Sequence, residues 1–436
     1  MSRFRRYFLG AAVPAFLAGM LSVSCAESRG GNSLPAHVTG KTDSLALHYG
    51  EDVREDWLGV GFSKAVRLSH VGRNNIRLSE AAGIPHVLSA GKEYPDFFAA
   101  PYASGLKINY EGEKLGKDYR KSRSNMWNYA DWDGDGVLDI VAGNSEGRLL
   151  FFKNNGTDRE PDFAMSEEIC AGGVPVLLRP GYHVVQGPFE ASWGYLCPTV
   201  CDWNNDGLPD VVVSGSRQKY EVMLNEGTST EPRLAAPVPI MVDNLELYGT
   251  WRVRPAIAKA GDVNVMVIMD DDNALHLYRQ IDEYNVEDAG KLRLEDGRQI
   301  TGHNDAGERL GQWGRGKLRF TDWNGDGKLD LIVGSIKRSS YPSPDRGLPY
   351  SRFRKKEFGL QVMLFENVGT NEKMVFKEPV QFQVDGKDVY LGAHSNAPEP
   401  CMLGDVTDGP NLLVGCESGK YFFFDRRHLT VTGIPE

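Results

Sequence analysis

The chain has 436 residues, of which 49 are glycine, 23 proline and 41% hydrophobic, so it can bury a large core from many short elements and is neither fibrous nor disordered in composition. A formal net charge of −10 argues against a general nucleic-acid binder, which needs a basic excess to match phosphate. Bound cations are the natural sink for that acid.

In chain order, Arg3, Arg5 and Arg6 precede an apolar run from Phe8 to Val23, the layout of an export signal over residues 1–25. "RRYFLG" resembles the twin-arginine export motif, although Phe4 stands where Ser or Thr is usual, so the ordinary secretory route stays open. "LSVSC" loosely resembles a lipoprotein cleavage box, which would make Cys25 a lipidated membrane tether; "SCA" could instead end a cleavage site at Ala26. The expected location is extracytoplasmic: periplasm, cell envelope or secreted. Residues 26–45 lack an apolar pattern and read as a flexible tether, leaving 46–436 as the folded domain.

That domain repeats itself. "DWDGDGVLDIVAG" from Asp131 recurs as "DWNNDGLPDVVVSG" from Asp202 and "DWNGDGKLDLIVGS" from Asp322, each followed by a second apolar run and a tail containing "NNGT", "NEGT" or "NVGT". Weaker copies start near Asp262 and Asp405, and the segment from Tyr94 matches only the apolar part. The starts lie 60 to 83 residues apart, room for about four short strands per unit. "DLIVG" is too short and too β-branched for a helix, and no stretch keeps a 3.6-residue period. An all-β fold follows. Because radial closure leaves only short, protected edges, the economical architecture is a β-propeller, and a unit of roughly 57 residues gives seven blades of four antiparallel strands over 46–436. The seventh blade would combine the weakly patterned stretch near residue 46 with the C-terminal "RHLTVTGIPE".

Of the cysteines, Cys197 and Cys201 lie four apart on one predicted strand, too far along it for an obvious bridge, whereas Cys401 and Cys416 fall on strands expected to be neighbours.

The three strong copies resemble the calcium loops of the FG-GAP (VCBS) repeat family, which also forms the integrin alpha-subunit propeller. The resemblance implies a calcium-binding propeller but little about activity, since the family spans adhesion, scaffolding and carbohydrate-processing proteins. Calcium takes six to eight oxygens, and positions 1, 3, 5 and 9 of the first loop offer Asp131, Asp133, Asp135 and Asp139, with the Val137 carbonyl at position 7. The second loop offers Asp202, Asn204, Asp206 and Asp210, and the third Asp322, Asn324, Asp326 and Asp330, for about three structural Ca2+ sites. An EF-hand is excluded, because position 12 is Ala142, Val213 or Val333 inside a strand rather than Glu. The copies at Asp262 and Asp405 keep too few oxygens to bind metal tightly.

If these loops join the first and second strands of their blades, ligands meet the opposite face, which is built by the segments leading into the first strands and by the turns between strands two and three. Those leading segments carry Trp127, Trp193, Trp251 and Trp313, with Tyr195, Arg252, Arg254, Arg315 and His394. The Asp322 unit also carries a basic insertion of about two dozen residues after Ser335, including Arg352 and Arg354. Aromatic rings and guanidinium groups suit an anionic carbohydrate, so the expectation is a binder of an acidic polysaccharide. One alternative is a carbon–oxygen lyase of uronate sugars, with His394 or His183 as base, Arg252 or Arg254 neutralising the carboxylate, and Tyr195 or Tyr182 as acid. A protein–protein adhesion module is the third possibility.

Overall fold

The computed structural model describes residues 126–158, 161–180, 193–301, 316–336 and 360–384, together with the backbone of further strands at 65–68, 76–79, 86–89, 92–94, 106–107, 387–388, 399–403, 411–415, 421–424 and 429–431. Every regular element among them is a strand. The segments read as an export signal and a tether, with Cys25, lie outside the described residues.

The strands form up-and-down antiparallel sheets that follow one another along the chain. The first contains Ile76–Ser79, His86–Ser89, Lys92–Tyr94 and Leu106–Lys107; the second Met126–Ala130, Asp139–Gly143, Leu149–Phe152 and Glu167–Glu168. In the third, Cys197–Cys201, Asp210–Ser214, Glu221–Met223 and Val238–Pro239 repeat the pattern. The fourth and fifth contain the same ladder inside six strands, starting at Ala256–Ala260 and Lys317–Thr321. In the sixth, Glu399–Leu403, Asn411–Gly415 and Tyr421–Phe424 are completed by Ala65–Leu68 from near the other end of the chain, paired Ala65 to Phe424.

First strands lie beside first strands around a ring: 76–79 next to 126–130, then 197–201, and 256–260 next to 317–321, then 399–403, which returns to 76–79. The third and fourth sheets are joined where Ser214 Oγ donates to the Val253 carbonyl at 2.8 Å. The molecule is a β-propeller closed by strand exchange between its two ends.

Among the described residues six such sheets are present where the repeat length suggested seven. The material assigned to a seventh is used otherwise: 65–68 closes the sixth sheet, and Leu429–Val431 pairs with Val380–Val384 at the outside of the fifth.

Side-chain alternation explains why the second strands read as unbroken apolar runs. Val141 faces the third sheet and packs with Val211, Val213 and Met223, while Ile140 and Ala142 point the other way with Leu150 and Phe152. Val212 packs instead toward Met266 and Ile268 of the fourth sheet, whose Val265 and Val267 meet Leu331 and Val333 of the fifth. Each second strand is buried on both faces, so both alternating sets must be apolar. The core is therefore a series of slabs between sheets.

Candidate functional site

The three strong loops do join first and second strands. Register partners Ala130 and Asp139, Cys201 and Asp210, and Thr321 and Asp330 bracket them at one end of the sheets. All three share one hydrogen-bonded form. The first aspartate accepts the amide of the sixth residue: Asp131 from Gly136 at 3.2 Å, Asp202 from Gly207 at 3.1 Å, Asp322 from Gly327 at 2.8 Å. The sixth residue has φ of +86°, +86° and +80°, the left-handed conformation that only glycine adopts without strain. The fifth-position acid accepts from the seventh amide, at 2.9, 2.7 and 2.9 Å.

The ninth aspartate is the anchor. Asp139, Asp210 and Asp330 are fully buried. One oxygen of each accepts the amide of the loop's tryptophan, Trp132, Trp203 or Trp323, and the other takes the amide of a distant asparagine, Asn154, Asn225 or Asn367, at 2.7 Å each time. Those asparagines are the first residues of the "NxGT" tails, a signal visible in the sequence whose role sequence reasoning missed. Asn154 Oδ1 accepts from Gly156 and Asp162, and its amide donates to the carbonyls of Leu138 and Thr157. Asn225 and Asn367 repeat the acceptor half of this arrangement, and the Asn367 amide also donates to the Thr370 carbonyl at 3.2 Å. Loop and tail are one polar unit in each repeat.

The calcium that the repeat resemblance implies can be tested against these oxygens. In the first loop Asp131, Asp133 and Asp139 bring ligand atoms within 4.8 Å of one another, and Asp131 Oδ1 and Asp133 Oδ1 are buried without a hydrogen-bond partner. Burial, opposed by backbone amides and reinforced by neighbouring acids, raises the carboxyl of Asp139 to about 8, Asp210 to about 7 and Asp330 to about 6. The partly buried all-oxygen cluster of the first loop fits a hard cation, which would supply the missing counter-charge. The weaker copy at Asp262 is no loop: Ala260 pairs with Val263 across a tight turn with Gly261 at φ +64°. Its Asn264 instead donates to the carbonyls of Asp202 and Trp203, bracing the second loop from the next sheet. The copy at Asp405 lies outside the described residues.

At the other end of the strands, leading segments rest on the turns between strands two and three of the preceding sheet. Tyr195 and Leu196 donate to Ser145 and Asn144, Ser216 to Gly194, and Arg252 to Gly215. The backbones touch so closely that a Cβ on Gly194 would lie 2.4 Å from the Cα of Gly147. The two kinds of segment thus share a face, as expected, and it lies across the first strands from the acidic loops, about 13 Å away for five extended residues.

On this face part of the aromatic set converges. The Arg252 guanidinium sits 3.4 Å from the ring centre of Tyr195 and 4.1 Å from that of Trp251, and Trp193 lies 6.4 Å from Tyr195. Arg252 Nε donates to Ser216 Oγ at 3.3 Å. Tyr195 and Arg252 both hold positive φ, +43° and +58°, at a cost of about 1–3 kcal/mol each. Unlike the open cationic mouth read from the sequence, the cluster is mostly covered: Trp193, Trp251 and Arg252 are buried and Tyr195 is half-buried. Arg254 is 1% exposed and bridges through its backbone to Lys317 of the fifth sheet. Trp127 lies within the first strand of its sheet. Tyr182, His183, Trp313, Arg315, Arg352, Arg354, His394 and Cys416 lie outside the described residues, so the base required by a lyase is not placed.

One polar cluster had no sequence signal. In the fourth sheet, His276 Nδ1 is 3.0 Å from Asp270 and Nε2 2.6 Å from Asp288, with Lys291 bridging Asp270 and Asp272 and the imidazole stacked on Tyr278. Burial opposes the imidazolium, but the two carboxylates outweigh it and raise the pKa of His276.

No protein-family model matches this chain, and no curated protein matches it. Several solved structures do. A lectin from Agrocybe aegerita, described as recognising non-reducing terminal N-acetylglucosamine, is 13% identical over 85% of this chain and 94% of its own, with a TM-score of 0.35. A putative glycoside hydrolase from Bacteroides ovatus is 12% identical over 71% and 89%, TM-score 0.36. BBS1N, solved in complex with ARL6DN, is 10% identical over 85% and 97%, TM-score 0.36. Likenesses this distant carry no argument about activity.

Proposed function

We propose that the protein is an exported, calcium-stabilised propeller of the FG-GAP type that binds an extracytoplasmic carbohydrate, with an acidic polysaccharide as the ligand class. Calcium at the three acidic loops is structural in this reading: it neutralises ten aspartates and ties the first and second strands of three sheets together. Ligand binding belongs to the opposite face. The observation that carries this part is the convergence of Trp193, Tyr195, Trp251 and Arg252, with two of the four held in left-handed backbone. Strained residues persist where the surroundings over-determine them, and they cluster at binding sites.

In this reading the residues differ in role because they differ in burial. Arg252 orients the rings from within, while Tyr195, the least covered, is the platform a sugar face meets first. Calorimetric titration with a panel of uronate-containing and sulfated polysaccharides tests the reading. Tyr195→Ala is expected to weaken binding about tenfold or more while leaving calcium affinity unchanged. Following absorbance near 235 nm in the same mixtures separates binding from elimination, since a new unsaturated uronate would establish the lyase. Absence of binding to every polysaccharide would overturn the carbohydrate reading in favour of a protein partner.

A further inference from the structure

The three acidic loops are not equivalent, and the difference lies in one lysine. In the second and third loops position 3 is an amide, and it donates to the acid at position 5: Asn204 Nδ2 to Asp206 at 2.8 Å, Asn324 Nδ2 to Asp326 at 3.4 Å. In the first loop position 3 is Asp133, which is 3% exposed and, once ionised, has no hydrogen to give. The link between positions 3 and 5 is made from outside. Lys153 Nζ contacts Asp133 and lies 2.8 Å from Asp135, bridging the two carboxylates.

Lys153 stands immediately before the tail asparagine Asn154, where the other repeats have Leu224 and Glu366. Glu366 is engaged by Lys377 at 2.6 Å, and Lys328 comes within 3.7 Å of Asp326 in the third loop without bridging a second loop acid. Among the described residues, only the first loop combines four aspartates with an ammonium set between two of them. The extra acid and the lysine occur together. Meanwhile Asp131 Oδ1 and Asp133 Oδ1 stay buried and unpartnered beside the bridge, so the ammonium satisfies only part of the cluster.

We infer that Lys153 is a built-in counter-cation of the first acidic loop, and that a divalent cation entering this loop must displace its ammonium from Asp133 and Asp135. This rests on the reading of the loops as cation sites. Two like-signed charges cannot share one small set of carboxylates without strong repulsion. The first loop is therefore the weakest of the three for calcium despite carrying the most aspartates, and it is the one that holds its shape best when metal is removed.

The test uses the full chain and calcium itself, titrated calorimetrically, with Asp131→Asn marking which class of sites belongs to the first loop. Lys153→Met is expected to tighten that class about tenfold or more, since the number of ligand charges moves calcium affinity over decades. In chelator the same variant should melt a few degrees below the parent. Asp133→Asn combined with Lys153→Met should restore the chelator value, because a side-chain amide at position 3 could then donate to Asp135 as Asn204 does to Asp206. Unchanged or weaker calcium binding at the first loop in Lys153→Met would overturn displacement. An unchanged melting temperature in chelator, or no rescue by the double variant, would overturn the counter-cation role. If neither parent nor variant takes up calcium at any loop, the cation reading fails and displacement with it, and the chelator series still decides whether Lys153 holds the loop.

Discussion

Asn154→Ala removes four hydrogen bonds at once: two accepted from the amides of Gly156 and Asp162, and two donated to the carbonyls of Leu138 and Thr157. At about 0.5–1.5 kcal/mol each the gross loss is roughly 2–6 kcal/mol. None of the four partners is buried, Gly156 and Leu138 being half-buried and Asp162 and Thr157 exposed, so water can replace the side chain and the lower half applies, about 2–3 kcal/mol. Asn225→Ala makes the comparison sharper. Its side chain accepts from Gly227 and Arg233, but its amide has no partner, so the cost should fall to about 1–2 kcal/mol. Asn155→Ala, at an exposed neighbouring position, should change stability by less than about 0.5 kcal/mol. Urea unfolding in chelator measures the series, with the midpoint moving and the slope constant. The reasoning is refuted if Asn225→Ala costs as much as Asn154→Ala, or if Asn154→Ala is as silent as Asn155→Ala.

Two further outcomes follow from the same structure. Gly227→Ala places a Cβ 2.0 Å from the Glu231 carbonyl oxygen, and Gly369→Ala one 2.3 Å from that of Lys373; each should cost more than about 2 kcal/mol and lower the melting temperature in thermal scans. His276→Gln removes the imidazolium clamped by Asp270 and Asp288. Because the folded pKa of His276 is raised, its contribution is fully present below the unfolded value near 6.5 and is lost as pH rises through the folded value. The stability gap between parent and His276→Gln should therefore be wider at pH 5.5 than at pH 9, and a gap independent of pH would contradict the assignment.

The all-β propeller was legible because apolar runs such as "DIVAG" and "DVVVS" are too short for helices and recur after near-identical turns. Loop positions were legible too, since aspartates at positions 1, 5 and 9, Asp or Asn at 3 and a glycine at 6 leave few other geometries. The blade count was not, because closure depends on which distant strand completes the last sheet, and nothing local in "AVRL" says that it pairs with "YFFF". Tail asparagines were visible as a repeat but silent as chemistry, for their partners lie on the acidic loops 15 residues or more upstream. On the opposite face the sequence placed Trp193, Tyr195, Trp251 and Arg252 in leading segments but did not reveal their burial. Tryptophan and arginine in a leading segment look alike whether they line a mouth or, as Arg252 does, lie buried against neighbouring rings.

Calcium dependence of thermal unfolding bears most directly on the account, which holds that the repeated acidic loops are cation staples for the propeller. Scans of the full chain in chelator and in calcium at about a hundred times the dissociation constant should differ by roughly 2.7 kcal/mol of added stability for each occupied loop. A melting temperature that rises with calcium and loses part of that rise in Asp202→Asn or Asp322→Asn is the predicted result. An identical melting temperature in the two buffers would contradict it.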